Sequence, residues 1–395
     1  MKINEKMILS EEAGAIIGSY GKPGEIEELP LLESGGRILA EDICSEIEMP
    51  PFNKSAMDGY AVVSDDSSEK FEIIETIPAG KFPEKKVGKG QCSRIMTGAP
   101  LPAGADRVIK VEVTREEGEF MYITGNDPAG NVCVRGEDIK TGDRILEKGK
   151  IMRAAEIGAA ASLGNNRVKV YKKVRAGLIT TGSEIREPGE ILVPGQIYNS
   201  NGYSLSAQLL SSGAEVIEKK IVRDERAELM NELGKMIDNT ELSIISGGVS
   251  MGEFDLVPEV LEELGVKVHF NKVAVKPGKP TLFGTRGDKV VFGLPGNPVS
   301  TFVIFEILVK PLLMRMAGSR YSPVIIKGRL EEGYKRKKTE RDFYVPVFYE
   351  NGLVHLLDYH GSAHFVSLIK SNGLLKISRG VSEIPRGEIV DVRQI

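Results

Sequence analysis

The sequence predicts a multidomain α/β plus β protein organised around a central doubly wound α/β domain. Three observations lead there. Residues 174–318 alternate short β-branched runs with amphipathic helical stretches, the pattern of βα units on a largely parallel sheet. Residues 48–140 string short apolar runs between turn residues, an all-β texture, and residues 319–395 do the same and read as a small β-barrel or sandwich. Residues 1–47 and 141–173 are helical in character.

In order, Ser10-Glu11-Glu12 reads as an N-cap with first-turn acids, so a helix should reach about Tyr20. Residues 35–43 form a short helix or turn leading to a strand. Residues 50–62 are a loop entering a strand, and 71–77, 107–113 and 120–123 are strand-like. Residues 152–163 are alanine-rich and helical, with Gly164 as the stop. Strands are expected at 176–180 and 215–221, and helices at 200–211, capped by Asn199-Ser200-Asn201, and 225–237. Pro298 stands at the first turn of a helix running from about 299 to 316, with Asn297 as N-cap. The last strands should cover 324–330, 343–348, 354–357, 374–377 and 388–392.

Composition narrows the class. A chain of 395 residues can hold two to four domains. Its net charge of −4 gives no reason to expect nucleic acid or an anionic membrane as partner. Cys44, Cys92 and Cys133 form no CxxC pair, so neither a disulfide frame nor a zinc site is indicated, and a reducing compartment is. The first residues lack the apolar core of a signal peptide. Helix 299–316 is interrupted by Glu306 and Lys310, so it is a buried or interface helix rather than a membrane span. The cytoplasm is the expected compartment.

Residues 242–300 carry the densest chemistry. The apolar run 242–245 ends in Ser246-Gly247-Gly248-Val249-Ser250, and Gly252-Glu253-Phe254-Asp255 then leads into a helical pattern. A glycine turn feeding a helix N-terminus exposes N–H groups to a phosphate or another oxyanion; a tight turn without ligand is the plain alternative. Lys276-Pro277-Gly278-Lys279-Pro280 holds two lysines on a proline-stiffened loop suited to an oxyanion, or is a solvated basic turn. Gly293-Leu294-Pro295-Gly296-Asn297-Pro298 again ends a strand and opens a helix. Three such loops within about sixty residues suggest one ligand site at the carboxyl ends of strands.

Other loops add polar groups. Asp58 precedes Gly59 and Tyr60, Thr97 precedes Gly98, and Gly136-Glu137-Asp138 sets two carboxylates side by side. Each alone reads equally as turn chemistry. Glu184 ends a strand after Thr181-Gly182-Ser183.

The motifs SGGVSMGEFD, KPGKP and GLPGNPVS, with SAMDGYAV, RIMTGAPLP, RGEDI, TTGSEI and GQIYNSN, resemble in order and spacing those of the molybdopterin molybdenumtransferase family, related to the gephyrin E domain. The resemblance covers nearly the whole chain. It implies that 1–47 and 141–173 form one discontinuous, elongated helical domain, with 48–140 a β-rich domain, 174–318 the α/β domain of molybdopterin-binding type and 319–395 a C-terminal β-barrel. The implied reaction joins molybdate to the dithiolene of adenylylated molybdopterin and releases AMP. The family's Asp, Thr and Asp fall on Asp58, Thr97 and Asp138, which join Glu184 and Asp255 as the implied catalytic set.

Such a site must hold a pterin phosphate, a nucleotide phosphate and a tetrahedral dianion together. Ser246, Pro295, Asn297 and Pro298 belong to the matching motifs. Backbone N–H groups at Gly247, Gly248 and Ser250 and the ammoniums of Lys276 and Lys279 offset the charge. Asp58, Asp138, Glu184, Glu241 and Asp255 are then candidates to hold magnesium, a hard cation that takes oxygen ligands; Glu241 stands where the family usually has an aspartate. Ser300, Arg341 and Ser362 are implied to line a molybdate pocket. The resemblance also implies a homodimer, with the cleft between domain three of one protomer and domain two of the other, and an upstream molybdopterin adenylyltransferase. The chain departs from the family at Asn131-Val132-Cys133, where the family usually reads N-V-R.

Two readings from other classes compete. Gly248-Val249-Ser250-Met251-Gly252 matches the G-x-S-x-G elbow of a serine hydrolase, for which His269, His355, His360 or His364 would have to supply the base. A non-enzymatic, gephyrin-like scaffold is the other; both acidic loops and both lysines argue against a structural relic.

Overall fold

A computed structural model describes residues 7–249, 256–358, 361 and 365–395. Its contacts divide the chain into two compact units, one made of Met1–Ala40, Gly149–Arg153 and Arg167–Ile395, the other of Glu41–Lys148 and Ala154–Asn166.

In the first unit, helix α1 (Ser10–Gly18) is followed by strand β1 (Ile26–Pro30). The second unit is built on a curled six-stranded sheet: β2 (Gly59–Val62), β3 (Lys70–Ile77), β4 (Gln91–Ile95), β5 (Arg107–Lys110), β6 (Thr114–Glu117) and β7 (Phe120–Ile123), in the order β5-β2-β4-β3-β7-β6. Side chains alternate across it as strand geometry requires. Tyr60, Val62, Cys92 and Ile109 enter one small core, and Ala61, Ile95 and Val108 enter another. That is why Gly59–Val62 is buried along its whole length. The run at 107–113 is strand only to Lys110, then a 3-10 turn over Val111–Val113. Helix α2 (Ala154–Ser162) follows, and Gly164 beyond it takes φ +84, a left-handed stop.

Strand β8 (Arg167–Tyr171) pairs antiparallel with β1 in the first unit. The α/β centre then runs β9 (Arg175–Thr181), α3 (Ser200–Ser211), β10 (Glu215–Val222), α4 (Arg226–Asn239), β11 (Leu242–Ser246), α5 (Val257–Glu263), β12 (Lys267–Lys272), β13 (Pro280–Arg286) and β14 (Lys289–Leu294). The sheet order is β10-β9-β11-β14-β13-β12. Its first three pairings are parallel and its last two antiparallel. Leu178, Ile244 and Phe292 pack with α3 residues Leu205 and Leu209 on one face. Their neighbours Ile179, Ile245 and Val291 pack with Leu229 and Leu233 of α4 and Leu261 of α5 on the other. Helices thus cover both faces, the doubly wound arrangement.

The expected single helix after Asn297 has three parts: α6 (Pro298–Ile304), a π-helical turn over Phe305–Val309, and α7 (Lys310–Met316). Pro311 has no N–H to offer the preceding turn, and its ring crowds the carbonyl four residues back, so the turn there widens. The C-terminal strands β15 (Ile325–Leu330), β16 (Asp342–Glu350), β17 (Leu353–Leu356), β18 (Gly373–Ile377) and β19 (Ile389–Gln394) run in the order β16-β17-β15-β19-β18, and β18 pairs back with β16 to close a five-stranded barrel. Val275–Lys276 adds to its edge, parallel to β16.

Candidate functional site

Parallel strands bring their carboxyl ends to one edge. Thr180 is level with Ser246, and Ser246 with Leu294. A cavity of about 690 Å³ opens there, lined by Thr180, Thr181, Glu184, Asn201, Asp224, the turn 246–249 and the turn 295–298. This is where an open α/β sheet binds its ligands.

The double glycine is demanded twice over. Gly247 and Gly248 take φ +96 and +63, and a Cβ would lie 2.7 Å from the Thr181 carbonyl oxygen at the first and 2.9 Å from Thr181 Oγ1 at the second. One expectation is corrected here. The Gly247 N–H donates to the Leu294 carbonyl at 3.1 Å, which extends the β11–β14 ladder and removes this N–H from anion binding.

Asn201 ties the two turns together. Its Nδ2 donates to Ser246 Oγ (2.9 Å) and to the Gly296 carbonyl (2.7 Å). From the sequence it reads only as part of a helix cap. Asn199 alone fills that role, its side chain accepting from the Gly202 N–H, so a second asparagine at the cap was the available signal. Thr180 Oγ1, Thr181 Oγ1 and Asn201 Oδ1 are buried and have no hydrogen-bond partner among the described residues. Three such atoms around one cavity mark a place built for a guest.

Two carboxylates line the cavity, Glu184 after β9 and Asp224 after β10. Asp224 is not among the residues expected from the sequence, although it follows a strand just as Glu184 does. Glu241 is the reverse case. It precedes β11, at the opposite end from Ser246, and its Oε2 accepts the Arg175 N–H. The magnesium role expected of Glu241 therefore has no support from its position. Ser250, Asp255 and Ser362 lie outside the described residues. Among those described, no three His, Cys, Asp or Glu side chains cluster as a metal site.

The lysine loop points elsewhere. Lys276 and Lys279 are exposed and do not line the cavity, whereas Pro280 at the loop's end does. Pairing of Val275–Lys276 with β16 places the Lys276 ammonium 4.5 Å from the Phe343 ring centre. Burial, then Arg341, Arg336 and Lys338, hold its pKa below the usual lysine value. Arg341 donates to the Val275 carbonyl. Ser300 is buried in the first turn of α6. Lys276 and Arg341 thus lie in one cationic cluster.

In the second unit, Asp58 Oδ1 accepts both the Thr97 N–H (2.7 Å) and the Thr97 hydroxyl (2.8 Å). Those bonds, the backbone one first, hold the exposed carboxylate below its ordinary range. Asp138 is exposed, its N–H bonded to the Met49 carbonyl. Cys133, in place of the family's arginine, pairs with Lys54 across a short ribbon, and Arg135 is ion-paired with Glu48.

The hydrolase reading gains nothing. His269 Nε2 bonds Thr285 Oγ1 and its ring packs on Tyr20 and Phe283, while His355 pairs with Glu331 in the barrel. His360 and His364 lie outside the described residues.

The chain matches three family descriptions in order: the MoeA N-terminal region (domain I and II) over residues 7–164, a probable molybdopterin binding domain over 177–315, and the MoeA C-terminal region (domain IV) over 327–395. Together with the cavity, these define a multidomain protein of molybdopterin-binding type. It is 35% identical over 372 residues to a molybdopterin molybdenumtransferase of Staphylococcus epidermidis, covering 91% of this chain and 89% of that one. A molybdopterin molybdenumtransferase of Haemophilus influenzae is 35% identical over 383 residues, 94% of each chain. A solved molybdopterin biosynthesis protein from Pyrococcus horikoshii superposes with a TM-score of 0.86 at 30% identity, over 99% of this chain and 100% of that one. The chain belongs to the molybdopterin molybdenumtransferase family and is an enzyme of molybdenum-cofactor synthesis. No helix among the described residues is long and apolar enough to cross a membrane.

Proposed function

We propose that this chain inserts molybdate, or tungstate, into the dithiolene of adenylylated molybdopterin with release of AMP. The observation that carries this reading is the cavity at the strand ends, where a double-glycine turn, two carboxylates and unpaired buried polar atoms meet. The substrates are strongly anionic, yet no lysine or arginine stands among the described lining residues. Carboxylates facing phosphates call for a cation between them. Magnesium fits that donor set, because it takes one or two carboxylates, keeps several waters and bridges phosphate oxygens. Glu184 and Asp224 would hold it, with Asp255 a further candidate. Bound there, the ion would neutralise charge at the phosphoanhydride whose hydrolysis releases AMP.

The protein's own groups do the rest. Gly248 lets a phosphate approach the backbone, and Asn201 keeps the turns at 246–249 and 295–298 at fixed spacing. Lys276, Lys279 and Arg341, with Ser300 and Ser362, are assigned to collect the tetrahedral oxyanion. Resemblance to the family supports a homodimer in which Asp58, Thr97 and Asp138 of one protomer serve the cavity of its partner, and a molybdopterin adenylyltransferase as supplier of the substrate. Three free thiols support the cytoplasm as compartment.

The test is incubation of the purified chain with adenylylated molybdopterin, molybdate and magnesium, with AMP release followed over time. Molybdate-dependent release is expected. Release that ignores molybdate, or none at all, would overturn the proposal.

A further inference from the structure

The lysine loop lies against the barrel through a ribbon too short to hold itself. Only Val275 and Lys276 pair with β16, opposite Asp342 and Phe343. Two paired residues make a marginal strand, so the register needs a further tie. Asp342 supplies one. It is 4% exposed, and its N–H donates to the Ala274 carbonyl at 2.9 Å. Its carboxylate is held from three directions. Oδ2 accepts the Ser10 hydroxyl at the start of α1 and lies 3.2 Å from the Lys376 ammonium of β18, and Oδ1 accepts the Arg379 N–H at 2.9 Å. Lys376 also donates to Glu11 at 3.0 Å. The segment before α1 closes the ring of contacts. The Ala274 N–H donates to the Ile8 carbonyl at 2.7 Å, and the Ile8 N–H to the Lys272 carbonyl at 3.1 Å. Residues 8–11, 272–276, 341–343 and 376–379 thus meet around one buried carboxylate. Burial alone would raise its pKa; the bonds from Ser10, the Arg379 N–H and Lys376 outweigh that and hold it below the ordinary range. A buried charge with every partner in place fixes geometry, and it loses much when one partner is removed.

The residues on either side of Asp342 touch the lysine loop. Arg341 donates to the Val275 carbonyl at 3.3 Å, and the Phe343 ring lies under the Lys276 ammonium. We infer that Asp342 is a positioning residue for oxyanion binding: its carboxylate pins β16 to the start of α1, fixes where Arg341 and Phe343 meet Lys276, and so sets the affinity for molybdate from behind the cationic cluster. The inference rests on the reading of Lys276 and Arg341 as collectors of the oxyanion. Asp342 acts through them, because its own oxygens are buried and bonded within the protein.

NMR of the full-length protein with isotope-labelled lysine reads this geometry without substrate. The Phe343 ring should shift the Lys276 ε-methylene resonance upfield, a signal assigned by its loss in Lys276→Ala. Asp342→Asn keeps the shape of the side chain and removes its charge. Ser10→Ala removes one hydrogen bond from the far side of the network, so it decides the question alone should Asp342→Asn not fold. In both variants the Lys276 resonance should move toward its random-coil position. KM for molybdate in AMP release should rise about tenfold in Asp342→Asn, the loss of one charge-assisted contact, and less in Ser10→Ala. The kcat and the KM for adenylylated molybdopterin should stay near wild type. Ser10→Thr, which returns a hydroxyl, should restore both readouts. A Lys276 resonance that keeps its place in the folded variants, or a loss of kcat with the molybdate KM unmoved, would overturn the positioning role. Lys276→Ala separates the two readings. An unchanged molybdate KM in that variant, with the Lys276 resonance still displaced by Asp342→Asn, removes the oxyanion assignment and leaves Asp342 as the residue that seats Lys276.

Discussion

At the scale of single residues, the position of a carboxylate relative to a strand decides its role. Glu184 and Asp224 follow β9 and β10, so both reach the cavity. Glu241 precedes β11, and five strand residues at about 3.3 Å each put it roughly 16 Å away along the sheet. Glu241 enters the expected set through the family resemblance alone, since it precedes the apolar run 242–245, whereas Asp224 lies in no matching motif and is marked only by its place after a strand. Asp224→Asn and Glu184→Gln should each lower AMP release by about a hundredfold or more if they hold the ion. Thermal unfolding should change by no more than about 0.5 kcal/mol, since neither carboxylate is buried. Turnover equal to wild type at limiting magnesium would remove either residue from the set. Lys276 offers a pH test. Its folded pKa lies below the ordinary value, so within that window the unfolded chain keeps a proton the folded chain has lost, and this group's contribution to stability rises with pH. A bound oxyanion favours the charged form and reverses the shift. Molybdate should therefore bind more tightly as pH falls through the window, and a lysine-resolved NMR titration should show the Lys276 pKa rising when molybdate is added. A pKa that molybdate leaves unmoved would exclude this ammonium from the oxyanion group.

At the scale of elements, the alternation that builds the sheet is plain in the sequence, because runs such as 242–245 must be apolar on both faces when helices cover both. Less legible are features set by distant partners. Nothing near Val275 announces that it will join the edge of the barrel, and that pairing is what carries Lys276 to Phe343. The π-helical turn is similar: Pro311 signals a disturbance, while its form depends on what holds Glu306. That carboxylate is 5% exposed, accepts from Gln208 Nε2 of α3 at 3.1 Å and pairs with Lys310 at 2.8 Å. Arg393 of β19 donates to its carbonyl. Helices α3 and α6 both begin at the cavity, so Glu306 braces two of its walls from behind. Glu306→Ala leaves Gln208 and Lys310 without their buried partner and should cost about 3–5 kcal/mol in denaturant unfolding. Glu306→Gln, which keeps a hydrogen bond to Gln208, should cost less. Equal stability of the alanine variant and the wild type would show that packing alone holds the two helices.

At the scale of the whole molecule, the polar groups assigned to one reaction fall in two compact units. Asp58 and Thr97 are in one; the double-glycine cavity, Glu184 and Asp224 are in the other. The proposed homodimer, in which each cavity is served by the partner's Asp58, makes a quantitative demand. An Asp58→Asn chain and a Glu184→Gln chain should each be nearly inactive alone. Mixed one to one, random assortment makes half of the dimers heterodimers. Each heterodimer holds one site carrying both substitutions and one carrying neither, so one site in four of the mixture is intact. AMP release should recover to about a quarter of the wild-type rate per protomer, while each parent stays near its own background. The recovery should appear only as fast as subunits exchange, and crosslinking the parents before mixing should prevent it. If co-expressed chains, purified as verified heterodimers, are no more active than either parent, Asp58 and Glu184 act within one chain and the shared-site assignment fails.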